Sequence, residues 1–237
     1  MKRKLSVPVA SACFTIILIT LLLGAPAYAQ QFIMAPYLPL YPDNWWKYTT
    51  NGTDTYVEKV LPEQVVVNSV VTRVLDCSDG SKHYLTNDSS GIRLHKLDDP
   101  EGTATFMPPV VISPSISTLG QSVNSNGTAR LYIPSASTFD FNYSASSSAL
   151  TVETVSVPYG TFEALKIKNT LRIVGSIYGV TIDESSIGYS WYVRDIGIIK
   201  IAGQYNGKTI EDVLVLTDTN LPMKKNIVPP LLLLLLK

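Results

Sequence analysis

The chain of 237 residues holds two histidines, His83 and His95, and they flank a turn signal, Asn87-Asp88-Ser89-Ser90-Gly91. A hairpin here decides whether the imidazoles meet. With residues 87–90 as the loop, His83 pairs with Leu94 and His95 points to the other face. With residues 87–91 as the loop, His83 faces His95. A slip of one residue flips every side chain. Even the favourable register supplies two metal ligands, and a third must come from elsewhere. Two exposed strand histidines are the expectation, and no metal or other cofactor is assigned.

Carboxylates offer little more. Asp98-Asp99 and Asp183-Glu184 are adjacent pairs, and neighbours on a strand point apart, whereas glycoside hydrolysis needs two carboxylates facing each other across a substrate. Asp76-Cys77-Ser78-Asp79-Gly80 loosely imitates a calcium loop but lacks its closing Glu. The serines include no Gly-x-Ser-x-Gly elbow, and no glycine loop for phosphate is present. A hydrolase would need a pocket joining distant residues such as His83 and Asp98. The sequence reads as a non-enzyme.

Aromatic residues are the remaining candidates. Trp45, Trp46, Tyr48 and Tyr192 are the predicted ligand-binding residues, as a stacking platform for a sugar or the mouth of a lipid site. The competing reading is core and lid packing, because Tyr and Trp bury large areas while keeping a polar tip. Trp191 shares a strand face with Tyr189 and Val193, alternating with Ser190 and Tyr192, and is expected to be buried there.

The elements that must position these residues are strands. Leu165, Ile167, Leu171 and Ile173 alternate with Lys166, Lys168, Thr170 and Arg172, which predicts a strand with one buried and one wet face. Pro158-Tyr159-Gly160, Asp195-Ile196-Gly197 and Asn206-Gly207 predict hairpin turns in sequence. No amphipathic helix of ten residues follows the first thirty. The expected fold is all-β: a single antiparallel domain of about nine to twelve strands, a strongly curved sheet or barrel-like body, with a two-sheet sandwich as the alternative.

The first residues carry an address. Lys2, Arg3 and Lys4, an apolar run ending at Leu23, and Ala27-Tyr28-Ala29 make the three parts of a cleavable export signal. The rival reading is a retained anchor, but the apolar run falls short of the roughly 20 residues of a spanning helix. Cleavage after Ala29 removes three of 19 basic residues and none of 19 acidic ones, leaving a net charge of −3. No basic stripe remains to follow a phosphate backbone, which excludes nucleic acid as a partner. Cys77 is then the single cysteine, so no internal disulfide forms. The predicted organisation is a signal-peptide helix (1–29), a Pro- and aromatic-rich lead-in (30–55), an antiparallel β domain (56–222) and an apolar tail (223–237). The tail ends in six leucines, Leu231 to Leu236, too few to span a bilayer, and suits peripheral membrane contact.

Three fragments carry a resemblance: Tyr37-Leu38-Pro39-Leu40 with Trp46-Lys47-Tyr48; residues 157–164, reading Val-Pro-Tyr-Gly-Thr-Phe-Glu-Ala; and Trp191-Tyr192 with Gly197-Ile198-Ile199-Lys200. They resemble uncharacterised bacterial secreted and lipoprotein-like envelope β-proteins. The resemblance implies an antiparallel β body in the cell envelope, in a class where some members hold an acyl chain on a curved sheet. It fixes no activity on particular residues. The expectation is an exported, non-catalytic protein of the periplasm or cell surface that binds a lipid or other apolar ligand on a concave sheet. The alternative is an extracellular module that binds glycan or protein through exposed aromatics.

Overall fold

The computed structural model describes residues 29–50, 54–134, 136–205 and 208–222. The predicted signal-peptide helix and the leucine tail lie outside the described residues.

The first elements are β1 (Gln31–Ile33), a single 3-10 turn (Ala35–Tyr37) started by Pro36, β2 (Trp45–Thr50), β3 (Asp54–Val67) and β4 (Val70–Cys77). Then come β5 (Lys82–Asp88), β6 (Gly91–Asp99), β7 (Gly102–Ser113), β8 (Ile116–Thr118) and β9 (Ser122–Tyr132). The long strands follow: β10 (Thr138–Val157), β11 (Gly160–Ile177), β12 (Val180–Val193), β13 (Gly197–Tyr205) and β14 (Lys208–Thr219). Twelve of these close into an antiparallel barrel, running in chain order from β2 to β14 with β8 left out, and β14 pairs back onto β2. The protein is all-β and the sheet is closed. The two extra strands, β1 and β8, come from proline-punctuated segments and pair only with each other.

Local chemistry explains the meander. Asn68 and Ser69 both take positive φ (49° and 65°) between β3 and β4, as do Tyr178 and Gly179 (48° and 81°) between β11 and β12. Positive φ at both central residues is the two-residue turn whose twist matches a hairpin. The barrel reaches further toward the N-terminus than Tyr56, because Trp45–Thr50 hydrogen-bonds to β3 on one side and β14 on the other.

Register sorts the side chains. On β11, Leu165, Ile167, Asn169, Leu171 and Ile173 face inward, opposite Tyr192, Ser190, Gly188, Ser186 and Glu184 of β12. The outward row carries Lys166, Lys168 and Arg172, and Arg172 is paired with Asp183 at 2.7 Å. On this strand a largely apolar inward row lies beneath a charged outward row, the reverse of a lipid-facing strand, whose outward residues are apolar.

Trp191 corrects the sequence reading of β12. It is buried as expected, yet it stands on the outer face with Tyr189. Lys166 and Lys200 place their ammonium groups 4.7 and 4.8 Å from its ring, and its indole N–H donates to Glu153. Lysine stems cover apolar surface while their heads stay wet, so an outward Trp is buried without facing the core.

One end of the barrel is closed by the lead-in. Phe32, Met34, Leu38 and Leu40 are buried in the same cluster as Trp46, Tyr48, Tyr192, Ile199 and Leu216. Asn87 ties the segment down, its amide donating to the carbonyls of Ala35 (2.9 Å) and Leu38 (2.7 Å). The β12–β13 turn adds a bond from the Asp195 amide to the Pro36 carbonyl at 2.8 Å. The tip of the β10–β11 hairpin reaches β14, where Tyr159 bonds to the carbonyls of Leu216 and Leu221.

Candidate functional site

Small residues on β12 leave the lumen partly empty. Ser186, Gly188 and Ser190 stand where larger side chains would fill a narrower barrel, and a Cβ built on Gly188 would meet nothing within 4 Å. The result is a chamber of about 330 Å3 walled by Leu38, Leu75, Leu85, Leu94, Val110 and Ile198, with Glu58, His83, Asn169 and Tyr192 among its polar groups. A second chamber of about 320 Å3 lies toward the β11–β12 turn, lined by Ala129, Leu131, Phe141, Ile173, Ile177 and Ile182. Leu171 and Ser186 line both.

Glu58 is the feature that sequence reasoning missed. It lies in the inward row of β3, between Tyr56 and Val60, and pairs with Trp46 on one side and Cys77 on the other. Burial pushes its carboxyl up to about 7; the Tyr48 hydroxyl pulls the other way and Asp79 adds to the rise. Taking a carboxylate out of water disfavours its charged form. The Tyr48 hydroxyl donates its one proton to the Ile198 carbonyl at 3.1 Å. The readable signal was its place: a Glu at the alternate position shared with Tyr56 and Val60 is an inward Glu if that face is buried.

Of the predicted binding residues, Tyr192 lines the first chamber and Tyr48 stands against Glu58. Trp46 is buried beside the lead-in and donates to the Ile196 carbonyl at 2.5 Å. Trp45 is half-buried, its backbone N–H donating to the Asn220 side chain at 2.9 Å. The structure therefore brings Tyr48 and Tyr192 to the lumen and leaves Trp45 and Trp46 at its closed end.

The histidines adopt neither predicted register. The turn is shorter than either, with Asp88 paired to Gly91, and a bulge at His95 shifts the pairing so that His83 stands opposite Leu97. His83 enters the chamber wall, where burial lowers its pKa; His95 is buried on the other side of the sheet against Thr86 at 3.1 Å. Asp98 faces away from the lumen, held by Tyr84, Lys96 and Thr103, so His83 and Asp98 do not converge. Asp183 and Glu184 point apart, one to Arg172 outside and one into the second chamber. Burial pushes the Cys77 thiol up to about 11, which leaves it a poor nucleophile. Among the described residues no group of three or more His, Cys, Asp or Glu could hold a metal ion.

No protein-family model and no curated protein matches the chain. Two solved structures are similar to it. One is a protein inferred to be a lipoprotein from Parabacteroides distasonis, 10% identical, covering 77% of this chain and 97% of that one with a TM-score of 0.43. The other is inferred to be an exported protein with a YmcC-like fold from Bacteroides fragilis, 18% identical, covering 77% and 98% with a TM-score of 0.37. Neither likeness assigns this chain a ligand or an activity.

Proposed function

We propose that this is an exported, non-catalytic envelope protein whose barrel carries an apolar ligand in its lumen. The observation that supports the reading is the chamber of about 330 Å3 beneath the lead-in, apolar over most of its wall and supplied with a few polar groups. Small-molecule sites have this make-up, at roughly 300–1,000 Å3. The charged outer wall suits a barrel that stands in water. Export rests on the basic, apolar and Ala-x-Ala parts of the first thirty residues, and the periplasm or the cell surface is the location this reading proposes. The glycan- or protein-binding alternative needs exposed aromatics: Trp46, Tyr48 and Tyr192 are each about 1% exposed, while Trp45 is half-buried and Tyr41, Tyr132 and Tyr178 are exposed but are not among the predicted binding residues.

Fluorescence of 1-N-phenylnaphthylamine, an apolar dye, tests the lumen directly. The protein should bind it, and Gly188→Leu should weaken binding by about tenfold, near 1.4 kcal/mol, with its melting curve preserved because the new side chain enters open space. Absence of binding, or equal binding by the variant, overturns the reading.

A further inference from the structure

The head-group preference of the lumen rests on the reading just given and extends it. Two carboxyl groups line the interior, Glu58 in the first chamber and Glu184 in the second. Among the described residues lining either chamber there is no Lys or Arg. Three described cations of the neighbouring strands are turned outward, Lys166 and Lys200 onto Trp191 and Arg172 onto Asp183.

Asn169 supplies an independent observation. Its Oδ1 is buried and has no hydrogen-bond partner, although the residue lines the first chamber. Its neighbour on β10, Ser147, already donates its hydroxyl to the Ile112 carbonyl at 2.6 Å. Its neighbour on β12 is Gly188, over which the space is open. A donor head reaching Asn169 from the lumen would satisfy this acceptor.

We propose that the lumen selects single-chain amphiphiles whose head donates hydrogen bonds and carries no negative charge, an alcohol or an amine, and disfavours carboxylate heads. Asn169 accepts a hydrogen bond from the head, and Glu58 sets the charge preference. An anion beside Glu58 would face a like charge in a poorly screened interior. The groups set around Glu58 are Tyr48 of β2, Tyr56 of β3, Cys77 of β4 and Tyr192 of β12, with Asp79 in the β4–β5 turn and His83 in the same chamber wall. Burial raises the pKa of each of the tyrosines and of Cys77 and lowers that of His83, so none of these supplies a compensating charge near neutral pH.

The test is displacement of 1-N-phenylnaphthylamine by decanol, decylamine and decanoate, which share a chain and differ in the head. At about pH 8, where Glu58 is largely ionised, decanol and decylamine should displace the dye at about tenfold lower concentration than decanoate. Glu58→Gln should bring decanoate level with decanol. Asn169→Leu should raise the concentrations of decanol and decylamine needed to displace the dye about tenfold relative to decanoate, with dye affinity measured on the variant itself. If Glu58→Gln fails to fold, the wild-type protein carries the test alone: the preference for decylamine over decanoate should grow from about pH 6 to about pH 8 as Glu58 ionises. Equal displacement by decanoate and decanol in the wild type, or a preference that does not change with pH or with Glu58→Gln, overturns the proposal while leaving the lumen reading in place. Failure of the wild type to bind the dye overturns both.

Discussion

Leu171 on β11 stands opposite Ser186 on β12, and these two residues line both chambers of the lumen. The Leu171 side chain is thus a partition. Leu171→Ala should join the chambers and shift preference toward longer alkyl chains, readable as the chain length at which a series of alkanols displaces dye best. Loss of the side chain should cost about 2–3 kcal/mol of stability by thermal or denaturant melting.

Glu58 makes stability fall as pH rises. Its carboxyl titrates near 7 in the folded protein against an ordinary value of 4.5. The folded state holds the proton more tightly, so its contribution is complete below about pH 4.5 and is lost as pH climbs through about 7. Glu58→Gln should flatten that decline. The variant should match the wild type near pH 4.5 and exceed it by up to about 3 kcal/mol above pH 7. Denaturant melts across that window check the sign: a variant less stable than wild type at the alkaline end would be inconsistent with a buried, desolvated carboxyl.

Asn87 holds the lead-in to the barrel through two backbone carbonyls. Asn87→Ala should loosen residues 31–44 without opening the barrel, at about 1–3 kcal/mol. Amide exchange should rise in that segment ahead of β10 to β12.

Gly197 lies at φ +104°, and a Cβ there would sit 2.9 Å from the Trp46 indole nitrogen. Gly197→Ala therefore combines backbone strain with a clash against a buried ring. It should lower stability by at least about 1–3 kcal/mol and shift tryptophan emission to the red. An unchanged melting curve would mean that Trp46 can move aside.

The strand pattern was legible where one residue alternates cleanly with the next. The inward row of β11 could be read from Leu165, Ile167, Leu171 and Ile173 because hydrophobic alternation is a local signal. Closure was not legible, since it depends on β14 finding β2, and no local feature records that pairing. A concave apolar site was expected, but the residues that open the lumen were not legible, for a different reason. A void is made by the side chains that are absent at Ser186, Gly188 and Ser190, and on β12 the eye goes instead to Tyr189 and Trp191. Those rings look like core and are covered from outside by Lys166 and Lys200. Glu58 was passed over because a strand glutamate is ordinarily a solvated one.

Barrel closure also orders events in time. The hydroxyl of Thr219 bonds to the carbonyl of Trp45, 174 residues earlier in the chain, so the first barrel strand waits for the last. Until β14 arrives, β2 presents an unpaired edge, the kind of edge on which chains aggregate. Topologies dominated by such distant pairings fold slowly. A chain delivered across a membrane from its N-terminus would therefore spend its passage with that edge bare, and its yield would be governed by whatever shields β2 during transit.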